Sequence, residues 1–256
     1  MTAVALHHEI SGPADAPVLL LAGSLGTRLA MWAPQVEALS DWLKVITIDH
    51  RGHGASPVPK GPYTIAEMGQ DVIALMDILG LERASYCGLS IGGMVGQWLA
   101  GNHPERVENL ILIATSAYLG APDPWFERAA TVREAGTVEV IADAVVARWF
   151  TPGWAANHKD IVRFHREMLV SSPVEGYASC CEAIAGLDVR SELSRIIAPT
   201  LVISGAEDPA IPPVHQQAIV AAVRGARLET IADAAHVLSA QHPARVNELI
   251  LEYIDL

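Results

Sequence analysis

Short apolar runs, separated by helix-length amphipathic stretches, set the rhythm of this chain. The runs fall at 18–22, 45–48, 84–87, 110–114, 200–204 and 228–231. They are rich in Val, Ile and Leu and do not alternate strictly with polar residues, which is the composition of parallel strands buried on both faces. Between them lie helical patterns. Thr64 followed by Glu67 makes a capping box, after which Ile65, Met68, Val72, Leu75, Met76 and Leu79 form one apolar stripe that Gly80 ends. Such alternation predicts an α/β fold with a mostly parallel, doubly wound sheet.

One stretch breaks the rhythm. Residues 120–189 hold no run of strand character but carry helical patterns and Trp125, Trp149 and Trp154. The expected organisation is a core domain of 1–119 and 190–256 interrupted by a helical lid at 120–189. A lid belongs over the carboxyl ends of the strands, where open α/β sheets bind ligands. An added helical layer that covers apolar surface reads the same way, and the two are compatible.

Composition narrows the classes. In 256 residues the chain carries 17 Lys and Arg against 29 Asp and Glu, a net charge of −12. With no basic run, it lacks the clustered cations that nucleic acid or an anionic membrane surface would require. A content of 51% hydrophobic and 18% charged residues argues against disorder. The opening residues show no basic segment and only a short apolar run before His7 and His8, so no signal peptide is expected. The uncharged stretch 84–104 has the length of a membrane span, but its five glycines and its polar residues suit a strand–turn–helix better. Cys87, Cys180 and Cys181 form neither a disulfide framework nor a metal-ligand spacing, which fits a reducing cytoplasm. Neither a metal nor an organic cofactor is expected, and a homo-oligomer is compatible with everything above.

The chemistry centres on Gly88-Leu89-Ser90-Ile91-Gly92-Gly93. Gly-x-Ser-x-Gly alone is a weak signal, but here an apolar strand precedes the serine and a helical pattern follows. That setting is a nucleophile elbow, whose strained turn needs neighbours without side chains. At the helix start the Ile91 N–H would face a developing oxyanion. A serine needs a base, and the base needs an orienting carboxylate. Asp208 lies in the loop after the run 200–204, and His236 precedes the last helical segment. Glu207 and Asp233 are the rivals to Asp208. Of the ten histidines, others have simpler readings: His7 and His8 on an edge strand, His103 and His242 directly before prolines.

Ser90, Asp208 and His236, in that chain order, resemble the catalytic triad of the α/β-hydrolase family, and the likeness extends over essentially the whole chain. The segment Asp49-His50-Arg51-Gly52-His53-Gly54-Ala55-Ser56 matches that family too and reads as a structural turn. A serine at position 90 excludes the aspartate-nucleophile chemistry of haloalkane dehalogenases. More narrowly, Gly23-Ser24-Leu25-Gly26-Thr27, Met31-Trp32, the stretch from Gly88 to Leu99, and Ala147-Arg148-Trp149-Phe150-Thr151-Pro152 resemble the 3-oxoadipate enol-lactonases. Where many hydrolases carry His-Gly, and these lactonases often Ser-Asn, this chain has Ala22-Gly23; the second oxyanion donor is then the N–H of Ser24 or of Leu25. The leading hairpin looks shortened.

The resemblance implies hydrolysis of an enol-lactone, by acyl transfer through Ser90, in bacterial degradation of protocatechuate and related aromatics. Such a substrate carries a carboxylate, which a net-negative protein must meet with a local cation. Arg28, Arg133, Arg148, Arg163 and Arg166 are the candidates, with Arg133 favoured and Trp149 expected on the apolar wall. The same triad would also serve a cofactor-free perhydrolase or haloperoxidase, a carboxylesterase or a carbon–carbon bond hydrolase. A ligand receptor that has lost turnover is a further alternative.

Overall fold

The computed structural model describes residues 3–254. Seven strands, β1 (His8–Ser11), β2 (Val18–Ala22), β3 (Lys44–Ile48), β4 (Ala84–Leu89), β5 (Val107–Ile113), β6 (Thr200–Gly205) and β7 (Arg227–Ile231), form one sheet in the order β1-β3-β2-β4-β5-β6-β7. Only β1 runs antiparallel, pairing His8 with Ile48 at the sheet edge. The others are parallel, and β2, β4 and β6 are buried almost throughout, as their unbroken apolar runs require. Strand β5 begins three residues before its apolar run. Glu108 and Asn109 interrupt the hydrophobic pattern, yet Val107 still pairs with Ala84, beside a register shift in β4.

In the amino-terminal half, α1 (Ala33–Leu39), α2 (Ile65–Ile78) and α3 (Ile91–Asn102) cover the sheet. Helix α2 starts at the capping box: Glu67 N–H donates to Thr64 Oγ1 at 3.1 Å, and Thr64 N–H to the Glu67 carboxylate at 2.9 Å. Gly80, past the helix end, has φ +67°, a conformation that suits glycine. Beneath this helix Arg51 and Asp71, both buried, form a two-point ion pair at 2.6 and 2.7 Å.

Between β5 and β6 the chain makes α4 (Asp123–Ala135), α5 (Glu139–Val146), α6 (Pro152–Asn157), α7 (Lys159–Val170), α8 (Val174–Ala185) and α9 (Arg190–Leu193). Helix α4 packs on α8, and α5 on α7. The two ends of this helical segment meet where Tyr118 bridges Asp188 and Val189 N–H donates to the Ala117 carbonyl at 3.0 Å. After β6 come α10 (Pro213–Ala222), α11 (Leu238–Gln241) and α12 (Pro243–Tyr253). Among the described residues no helix is long and apolar enough to cross a membrane.

The topology locates the site. After β2 the chain moves outward to β3, then returns across β2 to place β4 on its other side. This reversal opens a crevice at the carboxyl ends of β2 and β4, the usual ligand position in such sheets. The loop after β2 holds Gly23 to Thr27, and the turn after β4 is Ser90.

Candidate active site

Strand β4 ends at Leu89 and helix α3 starts at Ile91, so Ser90 alone turns the chain. Its φ of 56° and ψ of −116° are strained for a residue with a side chain. The surroundings enforce that conformation. Ser90 N–H donates to the Ile113 carbonyl at 2.9 Å, and its carbonyl accepts from Thr115 Oγ1 at 2.7 Å and from Met94 N–H at 3.0 Å. A Cβ on Gly88 would overlap the Gly92 backbone, and one on Gly92 would strike the Ala22 carbonyl. The glycines flanking the serine are therefore a condition of the turn.

Asp208 and His236 come from loops at the ends of β6 and β7. Asp208 Oδ2 lies 2.9 Å from His236 Nδ1, while its Oδ1 accepts the N–H groups of Ala210 and Ile211 at 2.8 and 3.0 Å. Both residues are buried. With Nδ1–H directed at a carboxylate, the imidazole keeps Nε2 as its basic atom. The rivals lie elsewhere: Glu207 is exposed, and Asp233 is an exposed corner residue of φ 54° whose carbonyl, rather than its carboxylate, is engaged. Ser90 and His236 open onto one cavity of about 50 Å³, although no hydrogen bond joins the serine hydroxyl to the ring among the described residues. Catalytic hydrogen bonds often tighten only when substrate is bound.

The loop after β2 reaches this cavity with Ser24 and Leu25. Gly26 N–H is taken by His53 Nε2 at 2.8 Å and Thr27 N–H by the Ser24 carbonyl at 3.1 Å. Ser24 and Leu25, whose own N–H groups have no such partner among the described residues, line the cavity with Ser90. Thus the segment 49–56 does more than turn the chain, because one of its histidines holds this loop in place. Asp49 adds a second anchor, accepting Leu29 N–H at 2.6 Å and Ala55 N–H at 3.0 Å. Burial, and secondarily the charge of His53, push His50 down to about 3, so it stays neutral.

Residues of the helical segment between β5 and β6 complete the cavity. Trp149 lines it and is buried, and its carbonyl accepts Val237 N–H at 2.9 Å, next to His236. A second tie is Gln241. Its side chain donates to Thr151 Oγ1 at 2.8 Å and to the Asp233 carbonyl at 2.6 Å, and accepts Ala235 N–H at 3.1 Å. Among the described residues no cluster of His, Cys, Asp and Glu could hold a metal ion.

The expectation for Arg133 needs correction. Its guanidinium forms ion pairs with Glu175 at 2.9 Å and Glu182 at 2.5 Å, and those carboxylates hold its pKa above the ordinary arginine value. It braces α4 against α8 and does not line the cavity. Arg163 and Arg166 are likewise paired with acids, the first with Asp160 and the second with Asp143 and Glu139, and Arg28 lines a separate cleft with His7 and Asp49. The arginines that reach the cavity are Arg148 and one that the sequence did not single out, Arg128. Arg128 and Arg133 are five residues apart, about 140° around a helix, so they face different neighbours. That rotation cannot be read without knowing which face of α4 packs on α8.

Comparison with known proteins places this geometry among relatives. Residues 16–243 match a family model described as alpha/beta hydrolase fold. The chain is 43% identical to 3-oxoadipate enol-lactonase 2 of Acinetobacter baylyi, covering 96% of this chain and 92% of that protein. It is similar to the crystal structure of the enol-lactonase from Burkholderia xenovorans LB400, with a TM-score of 0.95 and 41% identity over 99% of this chain and 97% of that one. A thermophilic esterase from Thermogutta terrifontis, solved with malate bound, has a TM-score of 0.90 and 30% identity, covering 98% and 93% of the two chains.

Proposed function

The chain belongs to the alpha/beta hydrolase fold family and is a hydrolase, and on that premise we propose that it opens the ring of 3-oxoadipate enol-lactone to give 3-oxoadipate. Ser90 is the nucleophile in this reading, His236 the general acid–base and Asp208 the carboxylate that orients it. The reading is carried by one observation above all. A serine on a strained one-residue turn and a histidine bonded to a buried carboxylate open onto the same lid-covered cavity. Enol-lactonase relatives that match nearly the full chain support the substrate.

The chemistry proceeds in two steps. Ser90 Oγ attacks the lactone carbonyl while His236 Nε2 takes its proton, and the N–H groups of Ile91 and of Ser24 or Leu25 hold the oxyanion. Donors of this kind contribute about 2.7–4 kcal/mol each. Collapse breaks the ring C–O bond, and His236 returns the proton to the departing enolate, which tautomerises to the ketone. The leaving group stays tethered to the acyl group, because both belong to the same opened ring. Water then adds to the acyl-serine as His236 removes its proton, and the keto acid departs with Ser90 restored. This reaction would place the protein in bacterial catabolism of protocatechuate and related aromatics.

The test is a steady-state comparison of the enol-lactone with simple lactones and aryl esters, for the wild type and Ser90→Ala. The enol-lactone should show the highest kcat/KM, and the variant should lose about a thousandfold or more on every substrate. A larger kcat/KM on aryl esters, or bromide oxidation by peroxide in acetate as the dominant activity, would overturn the substrate. A Ser90→Ala protein with wild-type turnover would overturn the mechanism.

A further inference from the structure

Past the end of β5, two residues, Thr115 and Ser116, form a strap held by two buried glutamines. Ala114 leads into it with a φ of 45°, the left-handed region that a residue with a side chain enters only under constraint. Its N–H donates to the Ile203 carbonyl of β6 at 2.9 Å. Gln97, on α3, donates through Nε2 to the carbonyls of Gly93 and Ser116, each at 3.1 Å. Gln216, on α10, donates through Nε2 to the Thr115 carbonyl at 2.7 Å. The Thr115 hydroxyl in turn donates to the carbonyl of Ser90 at 2.7 Å. The peptide of the nucleophile is thus tied to the strap, and the strap to Gln216.

Gln216 also reaches the other side of the triad. Ser204 Oγ donates to its Oε1 at 3.2 Å. Ser204 stands in β6 just before the loop of Asp208, and Gln216 stands in α10 just after it, so this bond closes the base of that loop. The Ile211 carbonyl, whose own N–H is held by Asp208, lies 3.5 Å from the same Nε2. Gln97, Thr115, Ser204 and Gln216 are all completely buried, and none of them lines the cavity. A leucine would fill the place of Gln216 at no polar cost, whereas a buried amide is tolerated only when its donors and acceptor are met. Here the groups that meet them belong to the supports of Ser90 and Asp208. Satisfied networks of this kind, in low-dielectric surroundings, rigidify what they join.

We infer that Gln216 is a positioning residue that sets the nucleophile and the acid in register with each other. Through Thr115 it holds the turn of Ser90, and through Ser204 it closes the loop of Asp208. The inference rests on the reading of Ser90 as nucleophile and Asp208 as orienting carboxylate, and adds a link between them that bypasses His236. A misplacement of about 1 Å can cost a reaction about a hundredfold, so the effect of the link falls on kcat rather than on substrate binding.

The test uses Gln216→Met, Thr115→Val, Thr115→Ser, Ser204→Ala and the double variant of Gln216→Met with Thr115→Val. Asn247→Ala serves as control, since that buried amide donates to the Pro34 carbonyl at 3.2 Å, away from the network. Each protein is followed, well below its melting temperature, by the rate at which a fluorophosphonate phosphonylates Ser90, and by kcat and KM on the enol-lactone. The first readout needs an activated serine but no lactone. Gln216→Met and Thr115→Val should each slow phosphonylation and kcat about tenfold or more, with KM within about threefold of wild type. Thr115→Ser keeps the donor and should recover to within about threefold. Ser204→Ala, a milder change that reads the same link if Gln216→Met does not fold, should lose about three- to tenfold. Because both substitutions cut one chain of bonds, Gln216→Met should cost less in the Thr115→Val protein than in the wild type. Asn247→Ala should melt lower yet react at the wild-type rate. Gln216→Met and Ser204→Ala proteins that react like the wild type, or losses that simply add in the double variant, overturn the inference. Phosphonylation that depends on Gln216 in a protein inert toward the enol-lactone would sustain the link and reject the lactonase reading. A wild type that is not phosphonylated at Ser90 would reject the nucleophile and the link together.

Discussion

His53 Nε2 accepts the Gly26 N–H at 2.8 Å, which pins the loop bearing Ser24 and Leu25 to the turn that follows β3. The two residues meet only in the fold, and both sit behind the cavity rather than in it. An accepting Nε2 needs its proton on Nδ1, which lies 3.4 Å from the Arg51 carbonyl. Burial pushes the His53 pKa down and so preserves that neutral form. Replacing His53 by Ala should loosen the loop and cost kcat about tenfold, with a smaller change in KM, because in the proposed reaction the loop would act on the oxyanion rather than on the bound substrate. His53→Gln, which can offer an oxygen near the position of Nε2, should recover part of the loss. An unchanged kcat in His53→Ala would remove the loop from the oxyanion site.

Asp208 holds three hydrogen bonds at once, one to His236 and two to backbone amides of its own loop. Asp208→Asn keeps the shape but favours the wrong imidazole tautomer, and kcat should fall by about 10³–10⁴. Asp233→Asn and Glu207→Gln, at exposed positions, should stay within about threefold of wild type. If Asp233→Asn carried the large loss instead, the assignment of the acid would have to move.

Acid should weaken this fold through His50. Held at about 3 when folded, against an ordinary value of 6.5, it is neutral in the native state at pH values where the unfolded chain already binds a proton. Stability from this group is therefore complete above about pH 6.5 and is lost as pH falls toward 3, by on the order of 1.4 kcal/mol per unit. Burial lowers His53 and His165 in the same direction. Urea unfolding at several pH values should show a steeper loss in the wild type than in His50→Gln. Equal slopes would assign the acid sensitivity to other groups.

The sheet was legible because parallel strands buried on both faces leave continuous apolar runs, and β2, β3, β4 and β6 fall on those runs nearly to the residue. Ser90 was legible because its turn demands glycines at 88 and 92, a local requirement. The acid was harder, since Glu207, Asp208 and Asp233 all stand in loops past strands and only the 2.9 Å bond to His236 separates them. Of the two arginines on the cavity, Arg148 stood among the candidates read from the sequence and Arg128 did not. Choosing between Arg128 and Arg133 depends on the rotation of α4 against α8, which Glu175 and Glu182 settle by capturing Arg133. Tyr177 of α8, which is buried and lines the same cavity, carried no sequence signal, since a buried tyrosine in a helix usually signifies packing alone.

Gln241 joins Thr151 to the loop of His236, so the helical segment 120–189 and the histidine loop are keyed to each other by a residue on α11. Exchanging residues 120–189 for those of a relative would then do more than reshape the substrate pocket. The grafted helices would arrive without the counterpart that Gln241 is cut to receive, and the histidine loop would lose a brace at the same stroke. A working exchange in this scaffold would therefore carry two parts, the helical segment 120–189 together with the short helix that bears Gln241.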